Sequence, residues 1–158
     1  MPEDPPRDKA SAGAHAARET SAAEAYRLTE QAGFNLRRAN QRHVAIFSRH
    51  VAGLTPTQFA ALARLYEHGS LSQNRLGRMT AMDSATIKGV VERLSSKNLV
   101  ASRPDANDQR LRVVELTPEG RAAFETAHDQ AIAARDETLA PLNAEEAEIF
   151  ERILAKLV

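Results

Sequence analysis

The chain is 158 residues long, with 42% hydrophobic and 27% charged side chains, the composition of an ordinary globular protein of about one domain. It has no cysteine, which excludes a disulfide framework, a thiolate-ligated metal and a thiol redox switch. The 21 basic and 21 acidic residues cancel overall, but residues 72–112 carry eight basic against four acidic groups and residues 113–158 carry four against ten.

A basic middle beside an acidic end suits a polyanion-binding module on a separate scaffold. No apolar run approaches the ~18 residues of a spanning helix, and the N-terminus lacks the apolar stretch of a secretory signal. A soluble, cytoplasmic protein without a membrane partner is expected. Residues 1–23 contain no large apolar side chain beyond Met1 and read as a flexible arm. From about Glu24 to Val51, Leu28, Ala32, Leu36, Ala39, His43, Ile46 and His50 recur at spacings of three and four. Val44, Phe47 and Val51 form a second stripe. The pattern predicts a long helix with a wide apolar surface, packed against its own domain and a partner and ended by Gly53.

Thr55-Pro56-Thr57-Gln58 is a helix start, with Thr55 as cap, Pro56 in the first turn and Gln58 completing a capping box. This helix stops at Gly69. Ser70-Leu71 is a short extended link, and Ser72 caps a short helix, roughly Gln73–Met79. After a break at Thr80-Ala81, Asp83 caps a helix of roughly Ser84–Lys97, with Ile87, Val90, Val91 and Leu94 inward. Asn98, which tolerates the left-handed conformation, lets the chain leave it. Leu99–Arg103 and Arg110–Leu116 are β-like and joined by a turn, giving a hairpin. Thr117-Pro118 opens another helix to about Leu139. Asn143 with Glu146 opens a last one, with Ile149, Phe150, Ile153, Leu154 and Leu157 on its apolar face.

Helix, link, helix, turn, helix and hairpin over residues 55–116 describe a winged helix-turn-helix. Within that order stand Leu54-Thr55-Pro56-Thr57-Gln58-Phe59, Leu76-Gly77-Arg78, Asp83-Ser84-Ala85-Thr86-Ile87 and Val91-Glu92-Arg93-Leu94. They are followed by Asp105-Ala106-Asn107-Asp108-Gln109-Arg110 and Leu116-Thr117-Pro118-Glu119-Gly120. In these segments the chain resembles the MarR family of transcriptional regulators, over roughly residues 28–158. It departs at Asn98, where many relatives have glycine. The resemblance implies a mainly α fold with a small β-hairpin wing and an obligate homodimer built from the first helix and the two C-terminal helices. The chain then divides into an arm (1–23), an N-terminal dimerisation helix (24–53), a winged helix-turn-helix (54–117) and C-terminal dimerisation helices (118–158). Two-fold symmetry implies a pseudo-palindromic operator in double-stranded DNA.

A recognition helix meets base edges with its N-terminal residues. Ser84, Ala85, Thr86 and Lys88 stand there, Ala85 offering a small apolar contact for a thymine methyl. Ser72, Arg75 and Arg78 on the preceding helix are candidates for the DNA backbone, and Arg93 and Arg103 are further candidates. Arg110 has the length to enter a minor groove, braced by Asp108. Other uses stay open: Ser84 and Thr86 as caps, Asp108 with Arg110 as a turn-stabilising pair, Lys88 and Arg93 as solvated charges. Arg103 and Arg112 flank the wing.

The resemblance also implies repression relieved by a small anionic, often aromatic, compound. His43, Phe47 and His50 lie at i, i+4 and i+7, with Arg38 and Arg42 nearby, so Arg38, His43, Phe47 and His50 are the candidates to hold a carboxylate beside an apolar wall. Packing roles compete for all four. Leu36–His43 together with Met82–Val91 look like members controlling aromatic-acid breakdown, including nicotinate-type pathways. No cofactor, metal site or catalytic group is expected. His43 and His50 are too far apart for easy chelation, and no G-x-S-x-G, P-loop, GxGxxG or HExxH pattern occurs. The alternative is a winged-helix regulator without an inducer, acting as an activator or through protein partners.

Overall fold

The computed structural model describes residues 26–105 and 111–158. The arm expected over residues 1–23, and Asp108 and Arg110 of the wing, lie outside the described residues. The chain divides into two compact units, Met1–Ala39 and Asn40–Val158.

In the first unit a single 3-10 turn, Leu28–Glu30, precedes helix α1 (Ala32–His50), which runs on into the second unit. The helix expected from Glu24 therefore begins eight residues later. The cause is local. Gln31 is extended (φ −84°, ψ 126°) and its side-chain amide donates to the Arg27 carbonyl, while Asn35 Nδ2 donates to the Thr29 carbonyl at 3.0 Å. Side-chain amides bonding the backbone in this way compete with the helical ladder. The guanidinium groups of Arg37 and Arg38 lie 5.3 and 5.7 Å from the centre of the Phe34 ring.

The second unit continues with α2 (Pro56–His68), β1 (Leu71–Ser72), α3 (Gln73–Met79), α4 (Ser84–Ser96), β2 (Val100–Pro104), β3 (Arg112–Leu116), α5 (Pro118–Leu139) and α6 (Ala144–Leu154). The caps read from the sequence are present. Thr55 and Gln58 form a reciprocal capping box, as do Asn143 and Glu146, and Thr117 Oγ1 takes the Gly120 N–H at 2.9 Å. Gly53, Gly69 and Asn98 have positive φ where three of these elements end.

Ser70-Leu71, expected as a plain link, leads into a third strand. Leu71 and Ser72 pair antiparallel with Val114 and Val113, so β3 is central in the order β1-β3-β2. A two-stranded hairpin is marginal by itself, and this pairing supplies the third strand while burying Leu71. α2 packs on α3, α4 and α5, and its Leu62 and Leu65 join Leu76, Ile87, Leu94 and Val114 in a closed core. Gly77 marks where α3 and α4 meet: a Cβ there would lie 3.1 Å from both Ile87 Cγ2 and the Met82 carbonyl oxygen. Among the described residues no helix is long and apolar enough to cross a membrane.

Candidate functional site

The first turn of α4 is built around Asp83. Its Oδ1 accepts the Thr86 N–H at 2.7 Å, and that bond, joined by one from the Thr86 hydroxyl, holds the carboxyl below its ordinary range. Ser84 is thus relieved of any capping duty. Ile87, Val90, Val91 and Leu94 are buried beneath the helix, while Ser84, Ala85, Thr86 and Lys88 are exposed. This is the spacing that leaves a polar row outward and an apolar stripe inward.

Helix α3 is held by Ser72, whose Oγ accepts the Arg75 N–H at 3.3 Å. The hydroxyl of Ser72 therefore serves the fold, while Arg75 and Arg78 are exposed. Arg93 is exposed on the last turn of α4. An open groove of about 620 Å³ is lined by residues of α3, α4, β2 and β3, among them Gln73, Lys88, Val91, Val100 and Arg112.

On the wing, Asp105 N–H bonds the Leu111 carbonyl at 2.9 Å and closes the described base of the turn. Arg112 turns inward on its own hairpin: Nη2 donates to the Ser102 carbonyl at 3.0 Å and Nε to the Ser102 hydroxyl at 3.3 Å. Its guanidinium staples β3 to β2. Arg103 faces Glu115, with Nε and Nη2 at 3.5 and 3.4 Å from the two carboxylate oxygens. Lys88 Nζ lies 3.9 Å from Glu92 Oε1, one helical turn on. Neither carboxylate was signalled by composition alone, although the Lys88–Glu92 spacing of four predicts neighbours on one helix face.

The residues considered for a ligand are distributed differently from the single row expected. Arg38 belongs to the first unit, beside Phe34. In the second unit the end of α1 grips the last turn of α5. Arg42 donates to the Thr138 carbonyl at 2.5 Å and to the Glu137 carbonyl at 3.2 Å, adding a charged donor to the carbonyl end of the helix. His43 Nδ1 lies 3.0 Å from Thr138 Oγ1, whose own proton goes to the Ala134 carbonyl at 2.7 Å. A hydroxyl has one proton to give, so His43 donates from Nδ1. Arg49 pairs with Glu137 Oε1, and His50 Nε2 lies 2.6 Å from Glu137 Oε2. The His50 bond, followed by Arg49, holds the Glu137 carboxyl below its ordinary range.

Phe47 is 4% exposed, and its ring meets those of His43 and Phe59 at tilted angles, 6.1 and 5.7 Å between centroids. It is a core residue in the first place. Glu137, one of the acidic residues of the C-terminal segment, takes two partners from α1. The available signal was the set of four basic side chains, Arg42, His43, Arg49 and His50, on one helix. Among the described residues no group of three His, Cys, Asp or Glu side chains could hold a metal ion.

Against known proteins, residues 54–111 match the MarR family. The chain is 41% identical to the HTH-type transcriptional repressor NicR of Pseudomonas putida over 135 residues, which is 84% of this chain and 85% of that protein. A crystal structure of a probable transcriptional regulator from Pseudomonas aeruginosa superposes with a TM-score of 0.80 at 50% identity, covering 84% of this chain and all of that one. Bordetella bronchiseptica BpsR, whose structure concerns regulation of DNA binding by 6-hydroxynicotinic acid, superposes with a TM-score of 0.78 at 40% identity, covering 84% and 96%.

Proposed function

The chain belongs to the MarR family, and on that premise we propose that it is a repressor bound to a pseudo-palindromic operator as a homodimer and released by a small aromatic carboxylate. It is a DNA-binding regulator and not an enzyme. The observation that carries the reading is the exposed first turn of α4, where Ser84, Ala85, Thr86 and Lys88 stand at the surface while Asp83 does the capping. Arg75, Arg78, Arg93 and Arg103 supply charge for the DNA backbone, and Arg110 with Asp108, outside the described residues, is assigned to a minor groove on the strength of the sequence resemblance.

Pairing is supported by α6, which leaves Ile149, Phe150 and Ile153 exposed, an apolar face that a second copy can cover. Residues 54–117 are then the DNA-binding part, with residues 24–53 and 118–158 forming the pairing helices. Its place of work is the cytoplasm, on nucleoid DNA. Support for repression comes from NicR, a named repressor, and support for an aromatic acid from BpsR, whose DNA binding is regulated by 6-hydroxynicotinic acid. His43 and His50 are the groups we assign to the acid, Phe47 forming the apolar wall behind them.

A gel-shift titration with the DNA upstream of the chain's own gene tests this, run against a scrambled duplex over a range of salt concentrations and then with 6-hydroxynicotinate added. The expected result is sequence-selective binding that weakens steeply with salt and is relieved by the acid. Equal affinity for both duplexes overturns the repressor reading. Selective binding that an aromatic-acid panel leaves unchanged overturns the inducer alone.

A further inference from the structure

Two of the cations assigned to DNA already hold a carboxylate. Arg103 meets Glu115 through two nitrogens at 3.4 and 3.5 Å across the wing, and Lys88 lies 3.9 Å from Glu92 on α4. The two pairs differ in quality. The wing pair faces both carboxylate oxygens with two guanidinium nitrogens, the fork arrangement that suits arginine. The helical pair is longer and runs from Lys to Glu, the less favourable direction for a spacing of four. For Arg75, Arg78 and Arg93 no ion pair is seen among the described residues.

We infer that Glu115 is an affinity-setting residue: its carboxylate occupies the Arg103 guanidinium in the free protein, so that operator binding exchanges a carboxylate for a phosphate. This rests on the DNA-binding reading above. Both side chains are partly exposed, 55% for Arg103 and 39% for Glu115, so the guanidinium can turn from one anion to the other without opening the core. Register fixes the contact. Arg103 is paired with Val113 and Glu115 with Ala101, which puts the two charges on one face of the hairpin, two residues apart along it.

The exchange has two consequences. Arg103 gives up an internal partner when it takes a phosphate, which lowers the net gain at that contact. The freed carboxylate remains beside the DNA and recruits a cation, which offsets part of the counterion release that drives binding. Glu115 therefore weakens the complex and flattens its salt dependence, which keeps an operator-bound dimer within reach of release. An exposed ion pair shifts an equilibrium by about two- to fivefold. A dimer carries two wings, so removing the carboxylate tightens operator binding by about four- to twenty-five-fold.

The test is operator binding by fluorescence anisotropy over a salt series, with the wild-type chain, Glu115→Gln, Arg103→Gln and the double variant. Glu115→Asp is added as a fifth protein that keeps the charge but shortens its reach. Thermal melting monitored by circular dichroism confirms that each variant is folded. Glu115→Gln is expected to bind more tightly with a steeper salt slope, Glu115→Asp to move in the same direction, and Glu115→Gln to have no effect once Arg103 is glutamine. Unchanged or weaker binding by folded Glu115→Gln overturns the inference. So does equal tightening in the absence of Arg103, or tightening by glutamine but not aspartate, either of which assigns the effect to net charge. If Glu115→Gln does not fold, the aspartate variant decides by the same criterion. Failure of the wild-type chain to select its operator overturns the DNA-binding reading itself.

Discussion

Gly120 stands so close to Leu99 that a β-carbon on it would lie 1.8 Å from the Leu99 carbonyl oxygen. That carbonyl also accepts the Thr117 N–H at 3.2 Å, while Thr117 Oγ1 both caps Gly120 and donates to the Asn98 carbonyl at 2.7 Å. The first turn of α5 is therefore seated on the segment where α4 passes into β2. The obstacle to a side chain is backbone, which cannot rotate aside. Gly120→Ala is expected to destabilise the fold by about 2–4 kcal/mol, measured by urea denaturation. A variant of unchanged midpoint would mean that the two elements are not seated this closely.

Asp83 links acid stability to the first turn of α4, the turn we assign to base reading. Its carboxyl is held below the ordinary value of 3.8 chiefly by the Thr86 N–H, then by the Thr86 hydroxyl. A depressed carboxyl contributes stability that is whole above 3.8 and is lost as pH falls through the lowered value of the folded chain. Asp83→Ala removes the cap and is expected to lower the melting temperature by a few degrees at neutral pH and to weaken operator binding. Asp83→Asn retains a capping oxygen and most of the stability, but loses the acid-dependent part. Parallel melting curves from pH 3 to pH 7 for Asp83→Asn and the wild type would refute this account.

The parts legible from sequence were those fixed by short-range chemistry. Thr55 and Gln58, Ser72, Asp83, Thr117 and Asn143 declare helix starts because a side-chain oxygen must meet an N–H three residues on. Asn98 declared its own left-handed φ of 56°; Ala81, at φ 53°, gave no such signal. The Thr80 hydroxyl bonds the Leu76 carbonyl at 2.7 Å, and the Met82 N–H bonds the Gly77 carbonyl at 2.9 Å, so the hydrogen bonds that close the end of α3 impose it without a residue type that announces it. Contacts between distant segments were illegible for a different reason, their separation along the chain. Leu71 pairs with Val114 across 43 positions, and Glu137 meets His50 across 87. Periodicity reports which face is apolar, and says nothing about which polar group will close on it.

Base-reading and backbone-binding residues should separate in one experiment. Thr86→Ala removes a polar group from the exposed first turn of α4, and Arg75→Ala removes a charge from α3. The threonine variant is expected to lose about 1–3 kcal/mol for the operator alone, relaxing discrimination at one position in each half-site. The arginine variant is expected to weaken all duplexes alike and to reduce the salt slope by about one ion per protomer. The check is anisotropy with a set of single-base operator variants. A uniform loss for Thr86→Ala, or a base-dependent one for Arg75→Ala, reverses the assignment.

Glu137 gives a prediction in which two readouts move in opposite directions. Its carboxylate is held by His50 and Arg49 and lies below the ordinary value of 4.5, the His50 bond being the larger cause. By the sign of that shift, its stabilisation is whole above 4.5 and is lost as pH falls through the lowered value. An aromatic acid seated on His50 brings a carboxylate to a site that Glu137 already fills, so the acid must displace it. Glu137→Gln removes the competitor together with the stabilisation. The melting temperature without ligand is then expected to fall and the part of its acid dependence that Glu137 supplies to disappear, while affinity for 6-hydroxynicotinate rises by about two- to fivefold, the worth of an exposed ion pair. Ligand raises stability with the logarithm of its concentration over the dissociation constant, by about 2.7 kcal/mol at a hundred times that constant. The variant should therefore show a larger ligand-induced melting shift from a lower starting point. Calorimetric titration of both proteins at pH 7 measures the affinities directly. A loss of ligand affinity in a folded Glu137→Gln protein would mean that the carboxylate orients the histidine for the acid instead of competing with it.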